Sequence, residues 1–235
     1  MNNLNAEDYK EGQLILIDKP LQWTSFQVVN KLRWLISRTF NIKKIKVGHA
    51  GTLDPLATGL LIICTGKMTK KIDEFQGMPK EYTGTFTLGA TTPSFDLETE
   101  IDQKFSISHI TEASIKDAAF KFLGEQDQIP PMYSAIKKDG NRLYELARKG
   151  EKIEVQSRKI TVYDFEITEV DLPQVVFRIK CSKGTYIRSI ADDFGKYLET
   201  GAYLSSLRRT MIGDLSVENA INPHDFEKII IKSTI

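Results

Sequence analysis

Apolar and polar positions alternate along several segments of the chain, and this period of two predicts half-buried strands. Residues 80–88 place threonines at positions 83, 85 and 87, between mostly apolar neighbours. Residues 175–181 alternate in the same way, whereas 13–17 and 60–64 are uninterrupted apolar runs that predict buried strands. Further strands are expected at 132–137, 160–170 and 203–209.

Other segments repeat apolar residues at spacings of three and four, which predicts helices. Thr24 or Ser25 can cap the first of them, whose apolar face would hold Phe26, Val29, Leu32 and Ile36. Further helices are expected at 111–123, 141–149, 189–198 and about 224–230. Because strands and helices follow one another without a strict β-α-β rhythm, the pattern favours an α+β fold with a mixed, largely antiparallel sheet and flanking helices.

The domain organisation is expected to be simple. No segment is rich enough in Pro, Gly or Ser to act as a linker, so we expect a polar tail at 1–12, one domain over 13–213 and a short extension at 214–235. Of the 235 residues, 41% are hydrophobic and 27% are charged, the profile of an ordinary globular protein. We find no signal-peptide pattern, and the run at 60–64 is far shorter than the roughly 20 residues that span a bilayer. The expectation is therefore a cytoplasmic protein without a membrane segment.

The formal net charge of +1 argues against a globally basic nucleic-acid binder. Binding depends on where the charge lies, however, and the cations are clustered. The clusters are Lys43, Lys44 and Lys46; Lys67, Lys70 and Lys71; Lys137, Lys138 and Arg142; Arg148 and Lys149; Lys180, Lys183 and Arg188; Arg208 and Arg209. Acids concentrate elsewhere, at Asp96, Glu98, Glu100 and Asp102. One cationic face with an acidic back would fit both observations, although each cluster alone is more typical of a solvated surface.

The two cysteines, Cys64 and Cys181, and three histidines show no C-x-x-C or H-x-x-x-H spacing. No structural zinc site is therefore expected. Two buried thiols are the preferred interpretation, and a single disulfide is the alternative.

The segment 47–59 (VGHAGTLDPLATG) is the first candidate site. Three glycines and a proline surround one acid, Asp54, ahead of an apolar strand, so the segment can hold a carboxylate rigidly at the edge of a sheet. The alternative is that Asp54 only caps the turn at Pro55. A phosphate loop is excluded because Leu61 and Met68 stand where that motif needs a glycine and a Ser or Thr. The G-x-S-x-G elbow of α/β-hydrolases is also absent.

The second candidate is CSKGTYIRS at 181–189, which carries Lys183, Tyr186 and Arg188 directly after a strand. A fixed guanidinium and an aromatic ring can grip a base and a phosphate, or orient a carboxylate. The alternative is a strand end with a partly buried tyrosine and a surface arginine.

These motifs carry a family resemblance. The segment GHAGTLDPLATGLLIICTGKMTK at 48–70 resembles the catalytic motif of the TruB family of tRNA pseudouridine-55 synthases. Other segments are similar to further motifs of that family, in order along the chain: Asp18-Lys19-Pro20 with Thr24-Ser25, Lys80-Glu81-Tyr82 with Leu88-Gly89, PPMYSA at 130–135 with 140–150, CSKGTYIRS, and Leu207-Arg208-Arg209-Thr210. The resemblance runs from about residue 13 to 213.

The resemblance implies a pseudouridine synthase fold and the isomerisation of uridine 55 in the T loop of tRNA, without cofactor or metal. It implies that Asp54 is the catalytic carboxylate, either as a nucleophile or as a base at the ribose, and that Arg188 pairs with it. Tyr82 would stack on the flipped base, and Tyr186 and Leu207 would form further walls of the uracil pocket. His49 would fill the space left by the flipped bases or hold them open. Lys19 would support the pocket. The partner would be the T arm of tRNA, and the protein would act as a monomer.

Two further expectations concern RNA binding. The insertion at about 128–152 interleaves cations with tyrosines, which suits the phosphates and exposed bases of a tRNA loop. About 25 residues follow Thr210, so the C-terminal PUA domain of many family members is not expected. The alternatives are a non-catalytic tRNA-binding or tRNA-folding protein on the same scaffold, and an unrelated α+β binding domain.

Overall fold

The computed structural model describes residues 4–134, 136–138, 140–150, 153 and 155–232. The helices are α1 (Ala6–Glu11), α2 (Ser25–Thr39), α3 (Ile72–Gly77), α4 (Glu112–Lys121), α5 (Leu143–Arg148), α6 (Ile187–Tyr197) and α7 (Pro223–Lys232). The strands are β1 (Leu14–Lys19), β2 (Val47–Ala50), β3 (Ala57–Thr65), β4 (Lys80–Leu88), β5 (Ala90–Thr91), β6 (Gln103–Lys104), β7 (Gly124–Gln128), β8 (Lys137–Lys138), β9 (Asn141–Arg142), β10 (Arg158–Asp171), β11 (Gln174–Cys181), β12 (Ala202–Ile212) and β13 (Leu215–Ser216). Within these described ranges, no helix is both long and apolar enough to cross a bilayer.

The chain forms two compact units, Met1–Tyr82 with Arg208–Ile235, and Thr83–Leu207. The boundaries fall inside β4 and β12, so the division does not coincide with a linker. The first unit is built around β3, which pairs antiparallel with β1 and with β2. The final part of β12 also borders β3 and forms a hairpin with β13.

Strand β3 is buried on both faces. Leu61 and Ile63 lie in a cluster with side chains of α2 and α7, whereas Leu60 and Ile62 lie in a second cluster with Ala50 and Ile212. A strand covered on both faces needs apolar residues at consecutive positions, which explains the uninterrupted run at 60–64.

Helix α2 begins at the predicted place, with Thr24 as its N-cap in a reciprocal capping box with Gln27. The buried positions are Ser25, Val28, Val29, Leu32, Leu35 and Ile36. Phe26 is 63% exposed, so its assignment to the apolar face was wrong. At 3.6 residues per turn, Phe26 lies about 120° from the centre of that face.

The N-terminal and C-terminal segments of the described chain contribute buried side chains to the core of the first unit. Residues 6–11, within the expected polar tail, form α1, and Tyr9 of this helix is buried. In the expected extension, Phe226 and Ile230 of α7 are buried against α2. The helix expected at about 224–230 is therefore present, whereas α1 was not predicted because Tyr9 is its one buried residue.

The second unit has a sheet with β4, β11, β10 and β7 in that order. Strand β10 pairs antiparallel with β11 and with β7. Helices α4 and α6 pack together, α4 packs on β10, and a cluster of phenylalanines includes Phe86 and Phe177, whose ring centroids are 4.2 Å apart. Phe194 of α6 lies 5.4 Å from Phe86 in the same measure.

Antiparallel pairing joins β3 to β1 and β2, β10 to β7 and β11, and β12 to β13, which confirms the predicted mixed, largely antiparallel fold class. The alternation in β4 and β11 was also predicted correctly. The prediction of a strand at 132–137 was largely wrong, since residues 132–134 form bends and the strand begins only at Lys137; residue 135 lies outside the described residues. Cys64 and Cys181 are both buried free thiols, which confirms the preferred interpretation over a disulfide.

Candidate active site

Asp54 lies on the irregular segment between β2 and β3, and the backbone of this segment is held on several sides. The N–H of Leu53 donates to Ser25 Oγ at 2.9 Å, and Ser25 Oγ donates back to the Leu53 carbonyl at 3.2 Å. The carbonyl of Pro55 accepts from the N–H of Gln22 at 2.8 Å, and that of Asp54 accepts from the N–H of Ala57 at 3.1 Å. The start of α2 and the turn before it therefore fix the position of a partly exposed Asp54.

Lys19 supports the segment that carries Asp54. Its side chain is fully buried at the end of β1, and Nζ donates to the carbonyls of Trp23 at 2.6 Å, Pro20 at 3.0 Å and Pro55 at 3.5 Å. Burial lowers the pKa of Lys19 to about 8, although the Asp54 carboxylate acts to raise it. One ammonium group thus joins three backbone carbonyls, one of them next to Asp54.

Arg209 fixes the entry and exit of the loop. It is buried in β12, where Nε donates to the carbonyl of Leu60 at 2.8 Å and Nη2 to that of Gly51 at 3.0 Å. Gly59 has φ +101°, and a Cβ at this position would lie 2.3 Å from the Arg209 carbonyl oxygen. Only glycine allows this close approach of β3 and β12.

Arg208, the neighbour of Arg209, points the other way because side chains alternate along a strand. It forms a bidentate ion pair with Asp18, in which Nη1 donates to Oδ1 at 3.0 Å and Nη2 to Oδ2 at 2.7 Å. The cluster of two arginines expected to be a cationic surface is therefore divided between a buried structural group and a partly exposed ion pair.

His49 lies in β2 opposite Ile63. Its Nδ1 is buried and has no hydrogen-bond partner among the described residues. Burial lowers the pKa of His49 below 6.5, and the charge of Arg209 lowers it further, so the ring is neutral at pH 7.

Tyr82 lies in β4 and is the last residue of this strand that belongs to the first unit. Its side chain is buried, with 8% of the residue exposed.

Tyr186 and Arg188 lie at the start of α6 in the second unit, and Tyr186 is its N-cap residue. Arg188 is 3% exposed; Nη1 donates to the carbonyl of Tyr133 at 2.9 Å and to that of Ser94 at 3.4 Å. Its Nε lies 3.6 Å from the Asp96 carboxylate, which is also buried. The alternative of a surface arginine at position 188 was wrong.

The acidic segment at 96–102 does not form a separate acidic back. Asp96 faces Arg188, and Glu98 forms a 2.6 Å ion pair with Arg148 of α5. The expected separation of acids from cations was therefore wrong for this part of the chain.

The predicted residues are distributed over both units. Lys19, His49, Asp54 and Tyr82 belong to the first, and Tyr186, Arg188 and half-buried Leu207 belong to the second. The pairing of Arg188 with Asp54 stays a prediction. Among the described residues, no three His, Cys, Asp or Glu side chains gather in a group that could hold a metal ion.

Sequence reasoning missed the supporting roles of Ser25 and Arg209. Both residues stand within the family-like motifs, but a motif does not reveal which backbone groups its side chains will meet.

Comparison with known proteins defines the class. The model of the TruB family pseudouridylate synthase N-terminal domain matches residues 37–187. A Flavobacterium johnsoniae protein named tRNA pseudouridine synthase B is 62% identical over 226 residues, which cover 96% of this chain and 99% of the relative. A protein of the same name from Phocaeicola vulgatus is 53% identical over 219 residues, which cover 93% of each chain.

Solved structures agree on the fold. A chain of a Cbf5-Nop10-Gar1 complex has a TM-score of 0.71 at 27% identity, with 98% of this chain and 61% of that chain covered. A chain of an H/ACA RNP bound to a substrate RNA containing 2'-deoxyuridine has a TM-score of 0.68 at 27% identity, with 96% and 55% covered. This chain thus spans less than two thirds of those solved chains. It belongs to the TruB family of pseudouridylate synthases, and its activity is that of an isomerase.

Proposed function

We propose that this chain converts uridine 55 in the T loop of tRNA to pseudouridine, with Asp54 as the catalytic carboxylate. The observation that carries the proposal is the loop that presents Asp54, because its backbone is fixed through Leu53, Asp54 and Pro55 while the carboxylate stays partly exposed. Relatives named tRNA pseudouridine synthase B that match nearly the whole chain support the choice of substrate.

The reaction breaks the N1–C1′ bond of the uridine, turns the uracil, and joins C5 to C1′. The proton leaves C5 and N1 gains one, so the formula of the nucleotide does not change and neither oxidant nor reductant is needed. Asp54 acts as a nucleophile or as a base at the ribose, and either route needs an ionised carboxylate. In the proposal, Arg188 pairs with Asp54 and favours this charged form.

The target base must leave its stack before it can react. Flipping costs a few kcal/mol, less in a loop than in a duplex, and stacking on an aromatic side chain returns about 1–3 kcal/mol. We assign this stacking to Tyr82, and the other walls of the uracil pocket to Tyr186 and Leu207. His49, neutral at pH 7, is assigned to the space that the flipped bases leave, because a neutral ring can stack among bases without carrying a charge into them.

RNA binding is assigned to the insertion at 128–152 and the T arm of tRNA. Within the described part of the insertion, Arg148 lies over the ring of Tyr144, with 5.4 Å between the guanidinium carbon and the ring centroid. Such a pair offers a flat surface for a base, and a phosphate would compete with Glu98 for the charge of Arg148. We further propose that the protein works in the cytoplasm, as a monomer and without an obligate protein partner or cofactor.

The test compares the wild-type protein with Asp54→Asn on an unmodified tRNA T arm, with pseudouridine mapped chemically. We expect conversion at uridine 55 by the wild type and none by the variant, with RNA affinity changed only slightly. Asp73→Asn is the matched control, because Asp73 is an exposed carboxylate of α3 outside the site. Conversion by Asp54→Asn at the wild-type rate would remove Asp54 from its role, and no conversion by the wild type would refute the function.

A further inference from the structure

The insertion begins and ends at two residues that face each other. Gln128 ends β7, Arg158 begins β10, and the two are direct partners in the antiparallel ladder between these strands. The chain leaves the sheet after the first and returns at the second. Both side chains reach the same neighbour, the segment that carries Tyr186.

Gln128 holds the backbone of Tyr186. Its side chain is 2% exposed; Oε1 accepts from the Tyr186 N–H at 2.8 Å, and Nε2 donates to the Tyr186 carbonyl at 3.0 Å. A primary amide can satisfy both groups at once, because it combines an acceptor with a donor. A glutamate at this position could still accept from the Tyr186 N–H, but its second carboxylate oxygen would face the Tyr186 carbonyl oxygen and be repelled by it.

Arg158 holds the ring of Tyr186. Its guanidinium carbon lies 4.5 Å from the ring centroid, which is the geometry of a cation–π contact. Its Nη2 donates to the carbonyl of Gly184, two residues before Tyr186. The Nε of Arg158 is buried without a hydrogen-bond partner among the described residues. The guanidinium of Arg158 thus contacts both the ring of Tyr186 and the backbone of Gly184.

A third bond ties the same two segments together. Ser189 is the third residue of α6, and its Oγ donates to the carbonyl of Ile129 at 2.8 Å. The first residues of the insertion are therefore attached to the start of α6 on both sides of Arg188.

We propose that Gln128 and Arg158 are positioning residues that set the backbone and the ring of Tyr186 for contact with the substrate base. The inference rests on the proposed function, in which Tyr186 is a wall of the uracil pocket. It also gives the insertion a second role: the two residues at its base link the segment that binds RNA to a residue that touches the reacting nucleotide.

The test uses Arg158→Lys, which keeps the charge but loses the planar group that lies on the ring. We expect kcat on a T-arm RNA to fall about tenfold, since small displacements of groups in a reacting site have effects of this size or larger. KM should change by less than about twofold if the contact acts on the ring rather than on RNA phosphates. Gln128→Glu should show the same pattern. Lys159→Ala is the matched control, because Lys159 is the next cation of β10 but pairs with Asp127 on the surface and should leave both constants unchanged.

A second arm separates positioning from direct RNA binding. In a Tyr186→Leu background, Arg158→Lys should have less than a twofold further effect on kcat, because the group it acts through is gone. A loss that appears in KM, weakens with salt and persists in the Tyr186→Leu background would overturn the proposal in favour of a phosphate contact. Wild-type kcat in Arg158→Lys would also overturn it, while wild-type conversion of uridine 55 in the same assay would leave the proposed function intact.

Discussion

Removal of the Ser25 hydroxyl tests whether the loop of Asp54 is rigid for a functional reason. Ser25 and Leu53 are 2% and 4% exposed, and Ser25→Ala removes both hydrogen bonds between them. The Leu53 N–H would then be buried without a partner, which costs about 1–3 kcal/mol. For a chain of this length Tm should fall by roughly 2–12 °C.

The effect on catalysis should be larger than this loss of stability suggests. Leu53 immediately precedes Asp54, so a shift of its backbone moves the carboxylate directly. Because a displacement of 1 Å can cost about a hundredfold in rate, we expect kcat to fall by about ten- to a hundredfold at temperatures where the variant is folded. KM should change little, since Ser25 is buried and does not reach RNA.

Thr24→Ala is the matched control for this prediction. The Thr24 hydroxyl accepts from the Gln27 N–H at 3.1 Å, and loss of this helix cap costs about 0.5–2 kcal/mol, close to the loss expected for Ser25→Ala. The Thr24 hydroxyl bonds to Gln27 at the start of α2 rather than to residues 51–56, so kcat should stay within about twofold of the wild type. Equal kcat losses in the two variants, or a wild-type kcat in Ser25→Ala, would show that the Ser25–Leu53 bonds do not position Asp54.

Two further predictions concern the same unit. Below about pH 8 folding buries the charged Lys19, whereas between about pH 8 and its ordinary pKa of 10.5 only the unfolded chain holds that proton. The free energy of unfolding of the wild type should therefore rise relative to that of Lys19→Met across this interval. Urea unfolding at pH 7 and 9.5 would measure the change, and parallel pH profiles of the two free energies would contradict it. Gly59→Ala should lower Tm through a loss of stability of about 1–3 kcal/mol or more, because the added Cβ would meet the Arg209 backbone at 2.3 Å. Gly77→Ala is the control and should be neutral or slightly stabilising, because its Cβ would meet nothing within 4 Å. Equal melting temperatures of the two variants would refute the steric argument.

Local patterns predicted the strands well because each pattern depends on only a few neighbouring residues. The alternation in β4 and β11 and the apolar run of β3 follow directly from which faces are covered. The assignment of Phe26 failed because it took the first apolar residue of the helix as part of its face, whereas the face is centred on residues 28–36. The strand β7 could not be predicted because its sequence, GEQDQ, has no apolar alternation and pairs with β10 at the edge of the sheet.

The site was predicted only as far as its motifs reach. Asp54 was proposed because its segment resembles the TruB catalytic motif and because glycines and a proline constrain its loop, but nothing near it in the sequence indicates that Ser25, 28 residues before Leu53, would hold that loop. The same limit applies to Arg188 and Asp96, which are separated by 92 positions. Hydrogen bonds between distant segments depend on how the units fold, and a single sequence does not record which polar groups will meet.

The fate of the cationic clusters decides which charges remain for RNA. Arg209 and Arg188 are buried and serve backbone carbonyls, Arg208 is paired with Asp18, and Arg178 with Asp164 and Glu166. The rigid, weakly hydrated guanidinium suits such contacts, although Lys19 shows that a buried ammonium group can also serve backbone carbonyls here. Exposed lysines remain, among them Lys43, Lys44, Lys46, Lys70 and Lys71, and lysines bind phosphates as point charges without sequence preference. In the proposed function, the electrostatic part of RNA affinity should therefore come mainly from lysines, and selection of the uridine from Tyr82, Tyr186 and Leu207, the side chains assigned to its pocket.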